Sequence, residues 1–136
     1  MASGIYSRYK ANLMNKVVDM EADIINVALY DSAHAFAATN TVYSSTNELA
    51  TATGYTRKGA TLTGKAVTEA ATTKFDATDV AWTTATFTAY HAVLYDDTVA
   101  TDDLICSFDF GGAKTVSAGT FTIVWHADGI ITLATV

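Results

Sequence analysis

GTFTIVWHADGIITLATV (residues 119–136) places two short apolar runs on either side of Asp128-Gly129. An Asp-Gly pair between alternating apolar runs is a strong short-range hairpin signal, because glycine takes positive φ freely and aspartate tolerates it. A two-residue type I′ turn at this pair sets Trp125 opposite Thr132 and Ile123 opposite Ala134. Phe121, Ile123 and Trp125 then share one face, as the two-residue side-chain period requires. That apolar face needs a cover, which the rest of the chain must supply.

Working back toward the N-terminus, the pattern stays β. Asp103 to Phe110 reads as a strand ended by Gly111-Gly112. Thr86 to Tyr95 is long, with Phe87, Ala89, His91, Val93 and Tyr95 on one face and Tyr90, Ala92 and Leu94 on the other. Apolar residues on both faces predict a central strand covered on both sides, or one face at a subunit contact. Phe75 to Thr83 carries Phe75, Val80 and Trp82, and Arg57 to Val67 reads as a strand holding Gly59 and Gly64 as bulges or close-approach sites. Asp23 to Asp31 is the first clear strand, with Ile25, Val27 and Leu29 alternating with Asn26 and Ala28. Ser32 to Ala52 is irregular, with Val42-Tyr43 as a short strand; a connection this long is often functional. Seven or eight strands at spacings of roughly 8–12 residues predict a sandwich or barrel.

Ser3 to Lys16 reads as a short helix or arm, capped at Ser3 or Ser7. Ile5, Tyr9 and Leu13 fall four apart and form a narrow apolar stripe, which either packs on its own domain or docks on a partner. The expected fold is all-β: a two-sheet antiparallel β-sandwich with a short N-terminal helix or arm. The expected division is residues 1–21 as that helix or arm and 22–136 as one β-sandwich domain.

Half of the 136 residues are apolar and 16% are charged, a balance that excludes disorder. Abundant threonine favours strands, and with no proline the turns rely on Gly, Asn, Asp and Ser. The net charge of −6, with scattered Lys and Arg, argues against a nucleic-acid partner. No segment reaches the roughly 18 apolar residues that span a bilayer, and the N-terminus lacks the apolar run of a signal peptide, so neither membrane insertion nor export is expected. Cys106, the sole cysteine, sits in an alternating run and reads as a buried small hydrophobe.

Chemistry-bearing patterns are sparse. His34, His91 and His126 are far apart and form no paired ligand motif. Asp96-Asp97 and Asp102-Asp103 flank one loop, where four carboxylates either hold a hard cation or form a solvated acidic turn; the spacing matches no EF-hand. No nucleophile elbow, P-loop or dinucleotide fingerprint occurs, so neither an enzyme nor a cofactor is expected.

The order of segments resembles small virion structural proteins of tailed bacteriophages. The likeness runs through INVALYD (25–31), NELATATGYTRKGATLTGKAVT (47–68), FDATDVAWTTATFTAYHAVLYDDT (75–98) and GTFTIVWHADGIITL (119–133). Such proteins look like capsid decoration, or cement, proteins. The resemblance implies a β-rich subunit in the virion, assembled in the host cytoplasm. It would sit on the outer shell, often as a trimer, bind the major capsid protein and stabilise the lattice. Ile5, Tyr6, Arg8 and Tyr9 are the candidate lattice contacts, since Tyr and Arg are favoured interface anchors. The alternatives are a tail, neck or fibre-associated subunit, and a carbohydrate-binding β-sandwich with Tyr43, Tyr55 and Tyr90 as stacking faces.

Overall fold

The computed structural model describes residues 3–135. Its elements are β1 (Gly4–Ile5), α1 (Ser7–Met14), β2 (Ile25–Tyr30), β3 (Ala60–Thr61), β4 (Ala66–Thr68), β5 (Thr72–Asp76), β6 (Val80–Asp96), β7 (Asp103–Ile123) and β8 (Ile131–Ala134). They form two antiparallel sheets, a five-stranded one in the order β1-β7-β6-β2-β3 and a three-stranded one in the order β4-β5-β8. The all-β, sandwich-like architecture with one short N-terminal helix is the one the strand spacing predicts.

Every residue of β2 is buried, which is why its apolar run is nearly continuous. Ile25, Val27 and Leu29 enter the larger core, together with Phe75, Val80, Trp82, Ile123 and Ile131 from the strands where the two sheets meet. Ala28 and Tyr30 enter a second, smaller core on the opposite face, with Tyr6, Val93, Tyr95 and Leu104. The long strand of the sequence is indeed central and covered on both sides. Its expected single face is broken, however. A register shift between Ala89 and His91 inserts extra β7 residues, since Ala89 pairs with Lys114 and His91 with Asp109. At this irregularity the alternation of β6 also changes face: Ala89 packs with Ala92 and Leu94, while Val93 and Tyr95 turn to the second core.

The terminal stretch departs from its reading. Asp128-Gly129 does turn the chain, but β8 pairs with β5, not with the end of β7. Ile123 lies opposite Val80 rather than Ala134, and Thr132 lies opposite Lys74 rather than Trp125. The Gly129 amide donates to the His126 carbonyl at 2.9 Å. Gly129 has φ +99°, while Ala127 and Asp128 keep negative φ. This is a type I turn with glycine in its last position, and it passes the chain from one sheet to the other. Phe121, Ile123 and Trp125 nonetheless pack together on the larger core, as the alternation predicts.

Strand boundaries differ as well. Gly111-Gly112 does not end a strand: both take positive φ inside β7, which runs on to Ile123. The predicted strand from Phe75 to Thr83 splits between β5 and β6, and the one from Arg57 to Val67 splits into β3 and β4.

The N-terminal segment is built into the sheet. β1 pairs with Ser107 and Cys106 of β7. The apolar stripe packs inward, with Tyr9 buried and Ile5 and Leu13 against the same core. Ile5 lies in β1 and Tyr6 takes the N-cap place, so neither serine caps the helix. At its other end Val17 N–H donates to Asn12 O at 2.9 Å and Lys16 N–H to Leu13 O at 3.3 Å, with Lys16 at φ 58°. That paired arrangement is a Schellman stop made without glycine.

Candidate functional site

The four carboxylates around the β6–β7 turn do not converge on one point: Asp103 has its own donors, Asp97 and Asp102 share Lys58, and Asp96 turns inward. Asp103, buried at the start of β7, accepts from Asn12 Nδ2 at 2.7 Å, from Thr101 Oγ1 at 2.6 Å and from Arg8 at 3.2 Å. Burial opposes its ionisation, but the hydrogen bonds from Thr101, Asn12 and Arg8 outweigh it and hold the carboxyl below its usual range. Lys58 Nζ bridges Asp102 at 2.9 Å and Asp97 at 3.6 Å. Asp96 turns into the fold, 1% exposed, beside Asp23. The loop's acids are thus divided among three places in the fold, and among the described residues no group of three or more His, Cys, Asp or Glu side chains could hold a metal ion.

Of the candidate lattice contacts, Tyr6 is 1% exposed and Tyr9 is 3% exposed. The Tyr6 ring stacks on Phe36 at 4.9 Å, and burial pushes both phenols up to about 12. Their rings are packed into the two cores. Ile5 and Arg8 keep partial exposure, with the Arg8 guanidinium committed to Asp103.

A buried carboxylate that the sequence did not flag organises the long connection. Glu48 accepts from Tyr55 Oη at 2.7 Å, from the Lys58 amide at 2.7 Å and from Tyr43 Oη. Tyr55 Oη in turn accepts the Leu29 amide at 2.9 Å, which pins residues 43–58 to β2. Burial, then the Glu48 contact, push the Tyr55 phenol far above its ordinary value. The Tyr43 ring lies 4.7 Å from that of Tyr95. Two of the three tyrosines that could have stacked on a sugar are therefore structural. Glu48 stands alone in a Thr/Asn-rich stretch, and only the flanking tyrosines hint at its role.

Two of the three histidines do meet. His34 stacks on His91 at 5.0 Å and its Nε2 lies 3.2 Å from Ser107 Oγ, while His91 Nδ1 is 4.0 Å from Asp109. Burial, and then the neighbouring His91, lower the His34 pKa. His126 sits in the exposed turn before β8, where it accepts the Asp128 amide at 3.1 Å. Cys106 is buried and its thiol is pushed up by burial, as an inert core residue should be.

The feature left uncommitted is the far half of β7. Its outer edge is covered near the β6–β7 turn, where Leu104 N–H donates to Thr41 O and Tyr6 N–H to Ile105 O. Ser3 Oγ accepts the Asp109 amide at 2.9 Å and completes that cover. From Gly111 to Ile123 no strand among the described residues pairs with that edge. Beside it opens a groove of about 460 Å³, lined by Phe108, Phe110, Phe121, Ile123, Trp125 and Ile130. Phe108 and Trp125 lie 5.7 Å apart, and Phe110 and Phe121 6.2 Å apart. An open row of backbone groups beside an apolar groove is the arrangement that accepts an added strand: the main chain supplies hydrogen bonds and the groove takes alternate side chains.

No protein-family model matches the chain, and neither a curated protein nor a solved structure gives a significant match. No helix among the described residues is long and apolar enough to cross a membrane.

Proposed function

We propose that the protein is a structural subunit of a tailed-bacteriophage particle: a decoration protein that binds the major capsid protein on the outer shell and stabilises the lattice. The sequence resemblance set out above points to this class. The structural observation that supports it is the open half of β7, a long free edge with an aromatic groove beside it. In this reading an extended segment of a shell subunit adds to β7 between Gly111 and Ile123 and seats apolar side chains among Phe108, Phe110 and Phe121. Ile5 and Arg8, on the segment that continues the same edge through β1, extend the contact. Binding only the expanded lattice stabilises that lattice by mass action. Homo-oligomer formation on the shell belongs to the same proposal.

Electron microscopy of purified particles tests it. Hundreds of copies spread over the shell are expected. A few copies at one vertex would make the protein a tail, neck or fibre-associated subunit instead.

A further inference from the structure

Among the described residues, one buried side-chain polar atom has no hydrogen-bond partner: Oδ2 of Asp96. Buried polar atoms are nearly always satisfied, so such an exception needs a physical account. Asp96 ends β6, opposite Ile25 of β2, and its other oxygen accepts the Thr98 amide at 3.0 Å. The carboxyl of Asp23 lies within hydrogen-bonding reach. Two ionised carboxylates have only acceptors to offer each other, so the contact becomes a hydrogen bond only when one of them carries a proton.

The surroundings favour that proton. On the β2 side Asp23 Oδ2 accepts the Asp19 amide at 3.0 Å, and the Lys65 ammonium donates to the Asp23 backbone carbonyl rather than to either carboxyl. On the turn side the amides of Thr98 and Val99 face Asp96, while the Asp97 carboxylate points to Lys58. No cation is paired with Asp96 among the described residues to offset a second negative charge. Burial, followed by the Asp23 contact, raises the Asp96 carboxyl to about 7.

The pair sits on a joint. Asp97 N–H donates to Ile24 O at 2.8 Å, and Ile24 N–H donates to Thr98 Oγ1 at 2.7 Å. These bonds fasten the link between α1 and β2 to the β6–β7 turn. We propose that Asp23 and Asp96 share one proton, and that its loss as the pH rises unfastens this link, making the joint pH-sensitive. The inference does not depend on the decoration reading. A folded-state value above the unfolded one, about 3.9, means the stabilisation is full below about pH 4 and is lost as the pH rises through about 7.

Hydrogen exchange on the full chain, read as protection factors, tests the proposal. Between about pH 5 and about pH 8.5 the amides of Ile24 and Asp97 should lose about tenfold or more in protection, while those of Val27 and Leu29 hold. Asp96→Asn, which imitates the protonated form, should remove the dependence, and Asp23→Asn should do the same by the other partner. Carboxyl carbon-13 titration of the wild type should show the pair releasing one proton near neutrality. Unchanged protection in the wild type, the same loss in both variants, or both carboxyls titrating near 4 would overturn the shared proton. So would restoration of protection at high pH by millimolar calcium, which would make the occupant a metal ion.

Discussion

The two halves of the β6–β7 pair are made of similar residues and live in different surroundings. Near the turn, Val93–Asp96 and Asp103–Ser107 are buried on both faces. Toward the far end, no β7 residue from Phe108 to Thr122 is fully buried, although the run still carries Phe108, Phe110, Val116 and Phe121. Strand propensity does not separate the halves; cover does. It comes from segments remote in sequence: residues 3–14 and 41–49 close the near half. The far half has a core on one face only and a bare outer edge. A folded chain leaves a long strand edge bare at the cost of aggregation risk, unless something pairs with it.

The near half should be the intolerant one. Tyr6→Ala removes a fully buried ring from the second core and should cost about 3–5 kcal/mol, a large share of the roughly 5–15 kcal/mol that holds a domain folded. Deleting residues 3–13 should be worse still, because it strips Tyr6, Tyr9 and the β1 pairing together. Denaturant unfolding of both variants checks this, and a truncated chain that unfolds cooperatively at the wild-type midpoint would erase the contrast. Glu48→Ala leaves two phenols and one amide without their acceptor and should cost about 2–4 kcal/mol; Glu48→Gln should recover part of it.

At the crossing between the sheets the effect should be intermediate. A Cβ on Gly129 would stand 2.9 Å from the Phe75 carbonyl, at a backbone angle that β-branched residues resist. Gly129→Val should lower stability by about 2 kcal/mol and be read as a lower melting temperature. An unchanged melting temperature would mean that the turn relaxes. On the far half Thr115→Lys replaces an exposed side chain whose hydroxyl bonds to Thr88 and should stay within about 0.5 kcal/mol of wild type. The same substitution places a charge on the free edge and should weaken the proposed binding to shells. Loss of stability, or normal shell binding, would count against the division.

The sequence made the architecture legible because its signals were local. Alternation in Ile25–Leu29 and Phe121–Trp125, the apolar stripe through Tyr9, and turn chemistry at Gly129 all report on neighbours a few residues away. The pairings were not legible. Asp128-Gly129 looks like a hairpin whether or not the next strand returns to its neighbour, and only β5, far upstream, decides that it does not. The face switch at Tyr90 accompanies a register shift opposite Gly111-Gly112, and no alternation within β6 announces it. The site was the least legible part. An arm with two tyrosines and an arginine reads as an interface, yet Tyr6 and Tyr9 serve the core. The open edge exists only because no strand among the described residues pairs with the outer side of β7 beyond Gly111, a property of the topology rather than of any motif.

Residue-resolved hydrogen exchange along β7, in the free chain and in the chain mixed with purified phage particles of the proposed class, tests the central claim most directly. In the free chain, amides from Leu104 to Ser107 should exchange only by global unfolding. Those of the outward-facing edge between Ala113 and Thr122 should exchange quickly, and on the particle that edge should become protected. If it stays unprotected while residues 3–16 gain protection, the N-terminal segment is the contact and the account of β7 is contradicted.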